Sequence, residues 1–129
     1  MKANELAYSD YVIGNYGEDR IVQVRSVTRK KIGFHMTENE TRMYYCQLCR
    51  VKPISLTEEI LKANGFDHNG NKLSYYVKDG DWVFTIREIG GMLAISLADD
   101  YAVLAYVHEL QHTLRLCGLN DLADNFKIK

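Results

Sequence analysis

No stretch of this 129-residue chain approaches the ~18–20 consecutive apolar residues that span a bilayer. Met1-Lys2-Ala3-Asn4-Glu5-Leu6 has no apolar core of the kind a secretory signal carries, so none is expected. Cysteine is scarce and odd in number, with three residues, which speaks against a disulfide framework and for reduced thiols in the cytoplasm. There is no internal repeat, low-complexity tract or Gly/Ser linker, and proline occurs once, at Pro53. The formal net charge is only −1, so the chain as a whole is not a polyelectrolyte. Together these absences exclude a helical membrane protein, a disulfide-stapled scaffold and a disordered linker.

What is present is ordinary globular material. Hydrophobic residues make up 47% and charged residues 26% of the chain. A chain of this length can bury enough surface to fold as one domain, or as two very small ones sharing a core. Charge is unevenly placed. Residues 20–52 hold Arg20, Arg25, Arg29, Lys30, Lys31, Arg42, Arg50 and Lys52 against only Glu38 and Glu40, a net of +6. The segments before and after carry −3 and −4. Pro53 stands at the change of sign and restricts Lys52 to extended backbone, which places a sub-domain boundary there.

The first half reads as β-structure. Tyr11-Val12-Ile13, the run from Ile21 to Val27, Lys31 to Met36, and Met43 to Cys46 are short extended stretches between polar turns, the pattern of a small barrel or meander. Thr57 then caps a helix, Glu58 and Glu59 sit in its first turn, and Gly65 after Asn64 stops it. Three strands follow, Leu73–Val77, Trp82–Ile86 and Met92–Leu97, joined at Asp79-Gly80 and Gly90-Gly91, the dipeptides of tight hairpins. Trp82, Tyr75, Tyr76 and Phe84 read as sheet packing. A last helix is expected from Tyr101 to Cys117, stopped by Gly118, with an apolar stripe of Val103, Val107, Leu110, Leu114 and Cys117. A short tail ends in Phe126 and Ile128.

On that helix, His108-Glu109-Leu110-Gln111-His112 matches H-E-x-x-H. The spacing suits zinc hydrolysis, because histidines at i and i+4 share one helix face and the glutamate beside the first can act as base on metal-bound water. Three features oppose that reading. The positions where a metzincin has its next Gly and His are Arg115 and Gly118, and no Glu follows Glu109. Only Cys117, Asp121, Asp124, His35 and His68 remain as third ligands. On a helical wheel His112 falls nearly opposite the apolar stripe, with His108 about 40° from it and Gln111 and Arg115 on the same polar side. A chain this short also leaves little material for a cleft. The alternative is a helix face whose imidazoles bond to carboxylates or backbone.

Cys46-Gln47-Leu48-Cys49 is a C-x-x-C without a second half, which reads as buried apolar cysteines before a zinc or redox pair. The basic segment interleaves its cations with Phe34, His35, Tyr44 and Tyr45, a composition that suits single-stranded nucleic acid, although Lys and Arg also blunt exposed strand edges. Arg29-Lys30-Lys31 is its densest cluster and is placed at a hairpin tip.

Two segments carry a family resemblance: Val51-Lys52-Pro53-Ile54-Ser55-Leu56-Thr57-Glu58-Glu59-Ile60-Leu61 with Gly65-Phe66, and Tyr106-Val107-His108-Glu109-Leu110-Gln111-His112 with Leu114 and Leu116-Cys117-Gly118. In these the chain resembles a group of small proteins of gut bacteria and their phages, marked by a K-P-I-x-L-T-E-E junction and a C-terminal Y-V-H-x-L-Q helix. The resemblance implies an SH3-like small barrel, then a helix, a β-meander and a final helix. It carries no activity with it. It further implies that positions 109 and 112 accept Gln and Asn, which a general base and a zinc ligand would not. His108 and Gln111 are then the helix positions with a shared structural role.

The expectation is therefore an α+β protein, with an SH3-like small β-barrel over residues 1–52 and an α-β-β-β-α domain over 53–129. The expected function is a non-enzymatic interaction or accessory protein of phage or mobile-element origin. It would bind a protein or nucleic acid through Arg29, Lys30, Lys31, Arg42 and Tyr44, without a cofactor and without a membrane. Homo-oligomers stay open. The alternative is a small zinc hydrolase with His108 and His112 as ligands and Glu109 as base.

Overall fold

The computed structural model describes residues 1–37, 39–68, 74–79, 82–97 and 100–128. After a 3₁₀ turn at Ala3–Glu5, strands β1 (Tyr11–Tyr16) and β2 (Glu18–Gln23) form an antiparallel hairpin. The chain changes sheets between Val24, whose N–H donates to the Asp10 carbonyl, and Arg25, whose N–H donates to that of Gly33. Strands β3 (Ser26–Val27), β4 (Lys31–Phe34) and β5 (Tyr44–Gln47) make a second, three-stranded antiparallel sheet. The expected small barrel is thus not closed among the described residues. The bend at Val24 and Arg25 splits the strands into two sheets instead of one continuous ladder.

Both sheets cover one core of Leu6, Val12, Val22, Val24, Ile32, Phe34, Cys46, Leu48 and Val51. Ile32 and Phe34 both point inward, as their alternation predicts.

Helix α1 (Glu58–Ala63) begins where the Thr57 side chain accepts the Ile60 N–H at 3.3 Å, with Asn64 as its C-cap. The meander is larger than expected. Strands β6 (Asp67–His68), β7 (Ser74–Asp79), β8 (Trp82–Ile89), β9 (Met92–Leu97) and β10 (Asp100–Val103) form one five-stranded antiparallel sheet, in spatial order β10-β9-β8-β7-β6. Gly90 and Gly91 form the β8–β9 turn at φ of 60° and 82°, values that L side chains avoid. The other expected turn, at Asp79-Gly80, runs into residues 80–81, outside the described residues.

The last helix, α2, spans Val107–Leu116 and does not begin at Tyr101. Residues 100–103 pair with β9 instead, and the Leu104 N–H continues the ladder to the Leu93 carbonyl. Pairing with an open sheet edge outweighs the helical spacing of Val103, which is left exposed. Val107, Leu110 and Leu114 do form the buried stripe, whereas Cys117 is an exposed C-cap. Past Gly118 a further helix, α3 (Asn120–Asp124), occupies what reads in sequence as a tail, and Phe126 is buried.

The second core joins Ile54, Leu61, Phe66, Tyr75, Ile86, Ile95, Leu110, Leu114 and Phe126. Strand β1 serves both cores. Val12 faces the first, while Tyr11 and Ile13 pack against the second, because successive side chains on a strand point to opposite faces. The segment around Pro53 is stitched to both halves. Lys52 exchanges backbone hydrogen bonds with Ile13, and Ile54 and Leu56 bond to Val107 and Ala105 at the start of α2. No helix among the described residues is long and apolar enough to cross a membrane.

Candidate functional site

The H-E-x-x-H residues fall in the first half of α2, and each is held differently. Glu109 is the third residue of the helix, and its Oε1 accepts the N–H groups of Ala105 and Tyr106, both at 3.0 Å. This is the glutamate half of a capping box: it satisfies backbone donors that a helix start would leave orphaned and places negative charge at the positive end of the dipole.

The polar side of the helix wheel does not face solvent. Gln111 has 0% exposure and His108 5%. The reason lies at the other end of the chain. Residues 7–11 and α3 pack over this side, and their backbone polar groups are the partners of its side chains. Gln111 Oε1 accepts the Tyr11 N–H at 2.9 Å, and its Nε2 donates to the carbonyls of Ser9 at 3.0 Å and Ala123 at 2.8 Å. Ser9 is held at φ 74°, a left-handed conformation rare outside glycine. The Gln111 bond and the 2.7 Å bond from the Ser9 N–H to the Val24 carbonyl keep it there.

Beside Gln111 lies a buried charge cluster. Asp10, with 0% exposure, accepts at Oδ2 from His112 Nε2 at 2.6 Å and from the Ala7 N–H at 2.8 Å. Its Oδ1 accepts from Arg115 Nη1 at 2.7 Å, and Arg115 Nε reaches Asp124 Oδ1 at 3.2 Å. A carboxylate out of water needs such a full set of donors. Asp10 and Arg115 were not singled out as a site by the sequence. Ser9-Asp10 before an apolar run has the look of a turn, and no local spacing links it to a helix a hundred residues on.

Two groups on this face lack partners among the described residues: Arg115 Nη2 and the His108 ring. Neither ring nitrogen of His108 has a hydrogen-bond partner among the described residues, and Nδ1 is sealed from solvent. Burial holds its pKa below the ordinary histidine value, against the pull of the Asp10 carboxylate, so the ring is neutral at physiological pH. The Tyr106 ring lies parallel to it, 8° between planes and 5.9 Å between centroids, and His112 meets it edge-on at 5.8 Å. These groups line a cleft of about 510 Å³ between the first residues of the chain and α2, with Met1, Glu5, Pro53 and Glu109 completing the wall.

No group of three His, Cys, Asp or Glu among the described residues is arranged to hold a metal ion. Of the third-ligand candidates, Asp124 pairs with Arg115, Cys117 is exposed at the helix end, and His35 bonds the Arg42 carbonyl at 2.8 Å. Asp121 stands exposed in the first turn of α3, and the side chain of His68 lies outside the described residues. All three cysteines are free. Cys46 is buried and accepts the Asn15 N–H at 3.3 Å, while Cys49 is exposed.

The basic segment divides between two faces. Arg29 and Lys30 make the β3–β4 turn and Lys31 opens β4, all three exposed, the turn closed by the Thr28 N–H bonding the Lys31 carbonyl. Tyr45 points outward, with Lys31 Nζ 4.1 Å from its ring centre. Tyr44, its neighbour, points the other way, packs on Tyr16 and Phe34, and carries Arg42 over its ring at 5.0 Å. Arg20 and Lys52 have carboxylate partners in Glu18 and Asp19. Among the described residues Arg29, Lys30, Lys31, Arg42 and Arg50 have none. Tyr75 and Phe84 contribute to the second core, and the side chain of Trp82 lies outside the described residues.

Comparison of the chain with protein-family models, curated proteins and solved structures finds no match.

Proposed function

We propose that the chain is a non-catalytic binding module that contacts nucleic acid through its β3–β4 hairpin. One observation carries the reading: Arg29, Lys30 and Lys31 are consecutive exposed cations at the tip of the β3–β4 hairpin, with no carboxylate partner among the described residues. Unneutralised cations beside an exposed tyrosine are the usual means of holding a phosphate backbone. The finer fold reading, an SH3-like barrel opened at Val24 and Arg25, would present this hairpin as a projecting loop. An accessory role in a phage or mobile element rests on the resemblance of segments 51–61 and 106–118 alone.

The zinc-hydrolase alternative asks more of the same residues. Glu109 would have to give up two backbone N–H bonds to act as base, and His112 would have to leave Asp10 to bind metal.

Fluorescence anisotropy on labelled single-stranded and duplex oligonucleotides tests the proposal. Three phosphate contacts give a log–log dependence on salt with a slope of about −2 to −3. Replacing Arg29, Lys30 and Lys31 by Gln should remove most of the binding and flatten that slope. Binding that ignores both salt and the triple substitution would overturn it.

A further inference from the structure

We propose that the cleft at the start of α2 is an anchor site for an organic cation, a guanidinium or alkylammonium group. The inference stands apart from the nucleic-acid reading, since it uses none of the hairpin residues.

His108 is the first ground. It is 5% exposed, lines the cleft and bonds no described protein group; its Nδ1 is buried without a partner, and its Nε2 is left for whatever occupies the cleft. In the neutral ring the proton can sit on the sealed Nδ1, which leaves Nε2, the nitrogen that is not sealed, to accept an N–H from a cation in the cleft.

Charge decides the sign of the ligand. The carboxylates of Asp10, Glu109 and Glu5 all act on the His108 ring in the direction that favours positive charge, and His112 opposes them. The helix start would ordinarily attract an anion, but the Glu109 carboxylate already stands there, accepting the N–H groups of Ala105 and Tyr106 just before the helix, and the Val107 N–H goes to the Ile54 carbonyl. The Met1 ammonium in the wall is turned to the Leu48 carbonyl at 3.3 Å. An anion would therefore meet Glu5 and Glu109, whereas a cation would be drawn to them.

Shape decides the class. A volume of about 510 Å³ is far larger than a metal ion needs, and the donors do not converge on a point. It is within the range of small-molecule and side-chain pockets. The Tyr106 ring, partly exposed and parallel to His108, gives a flat face on which a guanidinium can stack. The cation can arrive on a partner protein's Arg or Lys, or as a free amine.

NMR of the full chain, following the His108 and Tyr106 ring resonances at matched ionic strength, separates the outcomes. Agmatine, methylguanidinium and a blocked Arg-containing peptide are the probes. Saturable shifts at both rings, weakened about two- to fivefold by Glu5→Gln, are expected, that being the range of one exposed ion pair. Glu5 is on the surface, so this variant keeps the fold, and Glu5→Lys should abolish the shifts. Tighter binding of the peptide identifies a partner side chain, and equal or tighter binding of agmatine identifies a free amine. Rings unmoved by all three probes, or moved alike in wild type and Glu5→Lys, would overturn the proposal. So would a stoichiometric response to zinc alone.

Discussion

The β3–β4 hairpin and the polar face of α2 treat charge in opposite ways. At the hairpin, Arg29, Lys30 and Lys31 are exposed and have no carboxylate partner among the described residues. On α2, Arg115 and His112 each bond the buried Asp10 carboxylate of the N-terminal segment. The difference teaches where to look for function. Charges that are buried and paired hold the structure together. Charges left exposed and unpaired are free to meet something else. The H-E-x-x-H match drew attention to α2 as chemistry, but two of its polar members, Glu109 and His112, and Gln111 between them are engaged in tying elements together.

The strongest way to break that contrast is at Asp10. Asp10→Ala leaves His112 and Arg115 without their shared carboxylate and should cost about 3–5 kcal/mol in urea unfolding. A loss under 1 kcal/mol would mean that the cluster is not structural. Gln111→Ala comes next. It removes the acceptor of the Tyr11 N–H and the donor to the Ala123 carbonyl, leaves the Ser9 carbonyl to Gln23 alone, and should cost about 2–3 kcal/mol by the same measurement.

His108 gives a smaller, pH-dependent effect. Its folded pKa lies below the unfolded value of 6.5, so the unfolded chain takes up the proton first as pH falls. The stability that comes from keeping it neutral is complete above about pH 6.5 and is lost below it. Melting temperatures from pH 8 to pH 5 should fall less steeply in His108→Gln than in wild type; parallel curves would contradict the assignment. The smallest effect on stability belongs to the hairpin. Replacing Arg29, Lys30 and Lys31 by Gln should change stability by less than about 0.5 kcal/mol, although it should remove nucleic-acid binding.

How much of this was legible in the sequence follows from the range of each signal. Thr57 and Gly65 mark α1, and Gly90-Gly91 marks a hairpin, because a cap or turn is decided within four residues. The true start of α2 was not legible. Tyr101 to Val103 fit a helix by spacing, and only the edge of β9, brought there by folding, makes them a strand. The site was read least well. A helical wheel weighs apolar area alone, so it places His108 and Gln111 on the side away from the apolar stripe and cannot show that this side is covered. Their cover is supplied by backbone groups of Ser9 and Tyr11, whose bonding leaves no periodic trace. Tyr44 and Arg42 were grouped with Arg29 to Lys31 by proximity in sequence, yet strand alternation sends Tyr44 to the face opposite Tyr45.

The bond between Asp10 and His112 spans 102 residues. On a ribosome adding about 5–20 residues per second, Asp10 waits roughly 5–20 seconds for its partners to be made. Until then its carboxylate lacks His112 and Arg115, Ser9 is held only by its bonds to Val24 and Gln23, and β1 can bury only the face that Val12 occupies. Helix α2, made about a hundred residues later, thus closes over the first residues, so the nascent chain completes this face only after α2 has been synthesised.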